Sequence, residues 1–416
     1  MPRDNRDGLG WHFGLWQTVP LWTRQPSVEA IEGVCRQQLN IRADDPCKIS
    51  FYAAGAFNKL YLVVCTDQSL LMRVSLPVYP CHKVRGEVAT LQWLRDHTQV
   101  PVPKVIAFDD SNDNDIGFEW MLMELMPGSS AYQRWRKLSM EQKVAITTRI
   151  AELQAELFHH RTTEHAFQTI GTLELETGDR CAEVSTAIVP GQLVAHEFFI
   201  GPFRSSYDWL ASQLEIIILD NTKILETTDD EADKEDAENT LASARGLLSI
   251  LGKIFPIHTE CAETTVLYHN DLSLRNILVD EQGEITAIVD WECVSALPLW
   301  MTTRIPEFLN ERSREEEPIR DGYGDEDPEE FACWKKENNP NALDNEGKDG
   351  LYWIHREEYE ATQLRKVYHT RMKQLWPDWP LDNKQVEGWA ESIARGDFIR
   401  WADAETPSPI TAPVEP

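Results

Sequence analysis

The chain is poor in the features that mark secreted, metal-stapled or membrane-embedded proteins. Only 8 of its 416 residues are cysteine. Cys35, Cys47, Cys65, Cys81, Cys181, Cys261, Cys293 and Cys333 are scattered, without one Cys-x-x-Cys pair. That argues against a disulfide framework or a zinc site and for reduced thiols in a cytoplasmic protein. No apolar run approaches the about 18 residues needed to span a bilayer. The greasiest, Leu214-Glu215-Ile216-Ile217-Ile218-Leu219, is far too short. The first residues, Met1-Pro2-Arg3-Asp4-Asn5-Arg6-Asp7, mix both charges and lead into no apolar segment, so no secretory leader is expected. Positive charge is scarce as well: 40 Lys and Arg stand against 69 Asp and Glu, a formal net charge of −29. That excludes the basic footprint with which proteins hold nucleic acid. It leaves two readings, a preference for cationic substrates or a merely soluble, self-repelling surface. The sequence has no Gly-x-Ser-x-Gly elbow and no His-Glu-x-x-His pair, so the common hydrolase signatures are missing. His159, His160 and His165 come nearest to a metal cluster. They close a helix-like stretch, where His is common, and lack paired ligands at suitable spacing.

What is present is concentrated in one short segment. Residues His269-Asn270-Asp271-Leu272-Ser273-Leu274-Arg275-Asn276 read His-x-Asp followed by Asn, and Asp290-Trp291-Glu292 closes an apolar run a little further on. Phosphoryl transfer asks for a carboxylate that orients and deprotonates the attacking hydroxyl, and for hard oxygen ligands that set Mg²⁺ against nucleotide phosphates. Asp271 suits the first task; Asn276 and Asp290 suit the second. Each alone reads equally well as a cap or turn residue; it is their convergence that argues for a site. Two short β-branched runs, residues 276–280 and 285–290, flank Glu281-Gln282-Gly283-Glu284, which predicts a hairpin. If Asp280 faces Thr286, Asn276 faces Asp290, and both ligands lie at the open end of that hairpin.

The rest of the chain divides readily. With 42% hydrophobic residues it can bury a sizeable core, as one two-lobed enzyme or two domains. Residues 1–26 are Trp-rich and irregular (Trp11, Trp16, Trp22), an arm laid over the core. Residues 27–39 predict a helix opened by Ser27. Strands are expected at 49–54, 60–65, 69–76, 102–108 and 118–123, and an amphipathic helix at 83–97, where Val84, Val88, Leu91 and Leu94 repeat at helical spacing. Five strands with one helix after the third is the layout of a kinase small lobe. Beyond Pro127-Gly128 the chain turns helical: 144–160, 207–225, 241–255 and 357–375. The acidic stretch 226–240 reads as a mobile loop or a solvated helix end. Residues 311–347 predict a long surface excursion, and the Pro-rich 406–416 a disordered tail. The expected division is an arm and helix at 1–44, a nucleotide-binding lobe at 45–127, a catalytic and substrate-binding lobe at 128–405 and the tail.

Together these residues resemble the aminoglycoside phosphotransferase family, and within it the large set of fungal kinase-like proteins. The resemblance runs over roughly residues 45–310 and is most specific at His269-x-Asp271, Asn276 and Asp290-Trp291-Glu292. It implies an α+β, protein-kinase-like two-lobed fold, with a small antiparallel sheet lobe and a larger, mainly helical one. It also implies a nucleotide-covering loop at Gly55-Ala56-Phe57-Asn58-Lys59 and a linker at Glu124 and Leu125 whose backbone hydrogen-bonds the purine. Arg73 would stand where the family usually places the Lys that touches the α and β phosphates, with Glu87 as its helix partner. Arg for Lys is a departure, because a guanidinium is a planar fork and an ammonium a compact point charge. Glu87 reads alternatively as a solvent-facing helix charge. His269 orients the catalytic loop.

The implied activity is ATP- and Mg²⁺-dependent phosphorylation of a hydroxyl on a small molecule, with a cationic acceptor as one reading. An inactive, nucleotide-binding scaffold is the alternative that Arg73 keeps open. A protein kinase is disfavoured. After Asp290-Trp291-Glu292 the chain runs directly into Cys293-Val294-Ser295-Ala296-Leu297-Pro298, with no room for an activation segment ending in Ala-Pro-Glu. The acceptor pocket is expected from the helical half, including the region of Gly201 to Tyr207 and residues after 300.

Overall fold

A computed structural model describes residues 5–13, 18–66, 68–163, 166–175, 183–186, 201–255, 263–338, 342–377 and 379. The expected disordered tail, Trp16, His165, Cys181 and Cys261 lie outside the described residues.

The arm is less irregular than its composition suggests. Strands β1 (Leu9–Phe13) and β2 (Thr18–Trp22) pair as an antiparallel hairpin, Leu9 opposite Trp22. Helix α1 (Val28–Gln38) begins at Ser27, whose side chain accepts from the Ala30 N–H. Strands β3 (Cys47–Ala54), β4 (Asn58–Cys65) and β5 (Ser69–Ser75) follow, then α2 (His82–His97), β6 (Val105–Asp109) and β7 (Glu119–Glu124). They form one antiparallel sheet in the order β3-β4-β5-β7-β6. Ile31, Val63, Met72, Val74, Phe118 and Leu122 pack between one sheet face, α1 and the arm.

The chain then passes through Gly128, the short β8 (Ser129–Ser130) and α3 (Ala131–Arg134) into the helical lobe. Helix α4 (Met140–His159) opens with a complete capping box, in which Ser139 and Gln142 each satisfy the other's backbone N–H. Strands β9 (Thr172–Glu174) and β10 (Glu183–Thr186) precede two long helices, α5 (Ser206–Thr227) and α6 (Glu231–Ile254). Of the two readings of the acidic stretch, the helical one holds. Asp230 caps α6, and the buried set Ala237, Leu241, Ala244, Leu247 and Leu251 keeps helical spacing. Next come β11 (Thr265–Tyr268), β12 (Ile277–Val279), β13 (Ile285–Ile288), β14 (Ser295–Pro298) and the single turn α7 (Leu299–Thr302). The surface excursion contains α8 (Pro328–Asn338), and α9 (Gly350–Leu375) packs along α4.

A second core joins the lobes. Leu71, Val88 and Met121 of the sheet lobe share it with Ile150, Ile277, Ile288, Trp291, Leu364 and Tyr368. The fold is the α+β, kinase-like two-lobed one. None of the described helices is long and apolar enough to cross a membrane.

Candidate active site

The hairpin β12–β13 forms, but in a register one residue away from the expected one. Ile277 pairs with Ile288 and Leu278 with Ala287, with a bulge before Val279–Ile285. Asn276 therefore lies opposite Val289, whose N–H donates to the Asn276 carbonyl at 2.9 Å, and Asp290 stands one position beyond the pair. Polar bonds in the turn account for the slip. Asp280 Oδ1 accepts from the N–H groups of both Gln282 and Glu284, and the Asp280 N–H donates to the Glu284 carbonyl at 3.0 Å, which closes a tight turn over residues 281–283 and leaves Thr286 as the extra, unpaired residue of the bulge.

Asp271 and Asn276 meet directly. The Asn276 amide nitrogen donates to the Asp271 carboxylate and to its carbonyl, both at 2.9 Å. His269 is buried behind them. Its Nδ1 accepts from the Asp271 N–H at 3.2 Å, so Nε2 carries the proton and donates to the Val289 carbonyl at 3.0 Å. Burial holds this imidazole below its usual range, so it is a neutral brace between the Asp271 turn and the Asp290 segment. Trp291, stacked edge-on against His269 at 4.6 Å, anchors that segment by donating to the Ile288 carbonyl. Asp290 and Cys293 both adopt left-handed backbone, φ 67° and 55°. Such residues cost on the order of 1–3 kcal/mol and persist where neighbours over-determine them. Burial pushes the Cys293 thiol up to about 12, so it is no nucleophile.

On the sheet side, Arg73 and Glu87 form a buried ion pair at 2.5 Å, so Glu87 is not a solvent-facing charge. Arg73 also bonds Glu292 and lies 3.7 Å from Asp290. Burial works against the guanidinium's charge, yet Glu87, Glu292 and Asp290 hold its pKa above the usual value. Asp290 itself is raised, by burial and by Glu292, and is the more exposed of these carboxylates.

Lys83, which the sequence did not single out, and Glu292, quoted there only as part of the Asp290-Trp291-Glu292 motif, complete the cluster. Lys83 is 1% exposed and donates to Glu292 at 2.6 Å and to Asn58 Oδ1 at 2.9 Å. Glu292 is held down to about 2 by Lys83 and Arg73, against the opposing effect of burial. A signal existed: Lys83 precedes Glu87 by one helical turn and so shares its face of α2. In the loop expected to cover a nucleotide, the Gly55 N–H donates to the Asn58 carbonyl at 2.9 Å, and Asn58 turns inward. Lys59 is not brought into the site. Strand alternation sends it to the opposite face, where it bonds Gln25 and lies 4.5 Å over the Trp22 ring. The Glu124 N–H is taken by the Lys104 carbonyl at 2.9 Å, and Leu125 packs partly buried against the joint core.

Asp271 opens onto a cleft of about 400 Å³, whose wall includes Tyr132, Trp135, Arg275, Glu307 and Glu357. Burial and the neighbouring Asp271 carboxylate, to which protonated Glu307 can donate, push Glu307 upward. The Gly201 to Tyr207 region lies elsewhere. Phe203 and Tyr207 pack in the α5–α6 core instead.

The family model described as "phosphotransferase enzyme family" matches residues 48–301, more than half of the chain. Similar proteins include a subtelomeric hrmA-associated cluster protein of Aspergillus fumigatus, 26% identical over 65% of this chain and 62% of its own. Clavilactone A biosynthesis cluster protein Y of Ampulloclitocybe clavipes is 25% identical over 55% of this chain and 54% of its own. The chain thus spans less than two thirds of the length of these relatives. Among solved structures, a thermostable mutant of aminoglycoside phosphotransferase APH(4)-Ia, in ternary complex with ADP and hygromycin B, has TM-score 0.40 and 15% identity, covering 91% of this chain and 100% of that one. A macrolide 2'-phosphotransferase type I has TM-score 0.35 and 11% identity, covering 92% and 100%.

Proposed function

Because the chain belongs to the phosphotransferase enzyme family, we propose that it moves the γ-phosphate of ATP to a hydroxyl of a small cationic molecule. The observation that carries the reading is the Asp271 carboxylate, fixed by Asn276 at 2.9 Å at the edge of an acidic, aromatic-walled cleft. In this reading Asp271 takes the proton of the attacking hydroxyl, and proximity to a bound acceptor supplies much of the rate. Glu307 and Glu357 balance a cationic acceptor, and the rings of Tyr132 and Trp135 favour one through their π faces.

The donors fit a magnesium ion carried in on nucleotide. Mg²⁺ prefers one or two protein oxygens, with phosphates and water completing its shell. The Asn276 side-chain nitrogen is already engaged by Asp271, which leaves its side-chain oxygen Oδ1 as the ligating atom, and Asp290 offers a half-exposed carboxylate. Bound there, the ion would neutralise phosphate charge and help place the transferred group. Gly55 and Asn58 would cover the phosphates, Arg73 with Glu87 would frame them, and the backbone at Glu124 and Leu125 would meet the purine. His269 keeps the Asp271 and Asp290 segments in register.

One observation favours a second reading. Arg73 is tied to both Glu87 and Glu292, as expected of a nucleotide-binding scaffold that does not turn over. Mg²⁺-dependent ADP release, measured over amino alcohols, amino sugars, neutral sugars and hydroxy amino acids with Asp271→Asn as blank, separates the two. Acceptor-dependent release that vanishes in the blank supports the kinase. Absence of release, with ATP still raising the melting temperature, supports the scaffold.

A further inference from the structure

Three donors from three elements of the small lobe meet on one carboxylate oxygen. Glu292 Oε2 accepts from Asn58 Nδ2 of β4 at 2.8 Å, from Lys83 Nζ of α2 at 2.6 Å, and from the Arg73 guanidinium of β5. The arrangement is braced. Asn58 Oδ1 accepts from Lys83 at 2.9 Å and from the Ser75 hydroxyl at 2.8 Å, so the amide nitrogen is the end that must face the carboxylate. Lys83, Arg73 and Asn58 are 1%, 4% and 8% exposed. Burying two cations side by side is strongly unfavourable unless an anion sits between them. Apolar residues would pack the small lobe without that cost.

Convergent, charge-assisted N–H groups on a single oxygen are what an oxyanion site requires. This one lies next to Asp290, which is 3.7 Å from Arg73, and close to the covering loop, whose Phe57 ring centre is 5.9 Å from Lys83 Nζ. The two cations are not equivalent. The Arg73 fork is oriented by Glu87 as well as by Glu292. The Lys83 ammonium is a compact charge with three rotatable N–H groups, and it can follow an anion that arrives.

We propose that Lys83 is a phosphate-contacting residue: with Arg73 and Asn58 it forms the anion site for the non-transferred phosphates, and the Glu292 carboxylate holds that site until a phosphate oxygen replaces it. The inference rests on the phosphotransferase reading above and adds a residue that the β5 position, with Arg73 in place of Lys, does not supply.

The test is equilibrium binding of adenosine and of ADP to the full chain, in EDTA and again with Mg²⁺, for wild type, Lys83→Met and Glu292→Gln. Lys83→Met is expected to leave the adenosine Kd within about 2-fold and to weaken ADP by about 10-fold or more, the scale of one charge-assisted contact. Glu292→Gln is expected to tighten ADP in EDTA, because the competing anion is gone; this arm decides the matter if the Lys83 variant does not fold. Equal losses for adenosine and ADP, or no loss for either, would assign Lys83 a purely structural role. Weaker ADP binding by Glu292→Gln in EDTA would likewise overturn the proposal. A wild-type chain that binds neither ligand overturns the phosphotransferase reading itself. A wild type that binds ADP no better than Lys83→Met does overturns the Lys83 assignment alone.

Discussion

Asp271 is useful only as it is held: its carboxylate faces Asn276, and its backbone N–H is fixed by His269. In the proposed reading, replacing it by Asn keeps the shape and removes the base. Asp271→Asn is expected to lose about 10²–10⁴-fold in turnover with nucleotide affinity retained, read by steady-state ADP release beside a binding titration. Near-normal turnover would place the base elsewhere. Glu119 offers a prediction on stability. It is 1% exposed, accepts from the Cys81 N–H at 2.8 Å, and has no partner at Oε2. Burial pushes it from the usual 4.5 up to about 7; the Cys81 bond and Lys83 oppose this, while Asp109 and Asp110 add to it. A carboxyl raised by folding binds its proton more tightly in the native state, so stability falls as pH rises from 4.5 towards 7 and stays lower above that. At about 1.4 kcal/mol per pH unit the loss is on the order of 3 kcal/mol at most. Glu119→Gln keeps the acceptor and cannot ionise. Its melting temperature is expected to exceed that of wild type at pH 8 and to match it near pH 4; an equal difference at both would discard the assignment. Residue by residue, Asp271, Asn276 and Asp290 were legible from spacing. Lys83 was not, since a lysine on a helix reads as a solvated charge until the helix's neighbours are known.

Elements were more legible than their pairings. The amphipathic repeat placed α2, found at His82–His97, and the Ser27 cap placed α1; α4, expected from residue 144, begins at Met140 behind a capping box. Pairing depends on turn chemistry, and the bonds of Asp280 moved β12–β13 by one residue. The passage between lobes depends on Gly128. It has φ 97°, and a Cβ there would meet the Val279 carbonyl oxygen at 2.6 Å and Thr286 Oγ1 at 2.7 Å. Both β12 and β13 sit against it, and Thr286 also donates to the Pro127 carbonyl at 2.6 Å. Gly128→Ala combines an unfavourable backbone region with a clash against main chain. It is expected to cost on the order of 2–4 kcal/mol in chemical denaturation. A loss under about 0.5 kcal/mol, the range of ordinary surface changes, would mean the passage relaxes freely.

At the scale of the whole molecule, the net charge of −29 sets a self-repulsion that the buried ion clusters do not cancel. Raising NaCl to about 0.5 M shortens the screening length to roughly 4 Å and is expected to raise the melting temperature; a fall would mean that attractive surface pairs outweigh the repulsion. The lobes meet through the shared apolar core and through the grip of Asn58, Arg73 and Lys83 on Glu292. The sequence by itself placed most helices and strands, resembled a family with the α+β two-lobed fold, and offered Asp271, Asn276 and Asp290 as candidates close together. Those depend on periodicity, caps and short spacings that act within a few residues. Only the tertiary structure decided the hairpin register, the outward turn of Lys59, the inward turn of Lys83 and the acidic cleft beside Asp271. The register follows from bonds inside the turn and the turn of Lys59 from strand alternation, both too fine for residue pattern to show; the turn of Lys83 and the cleft depend on segments far apart in the chain being pressed together and deprived of water.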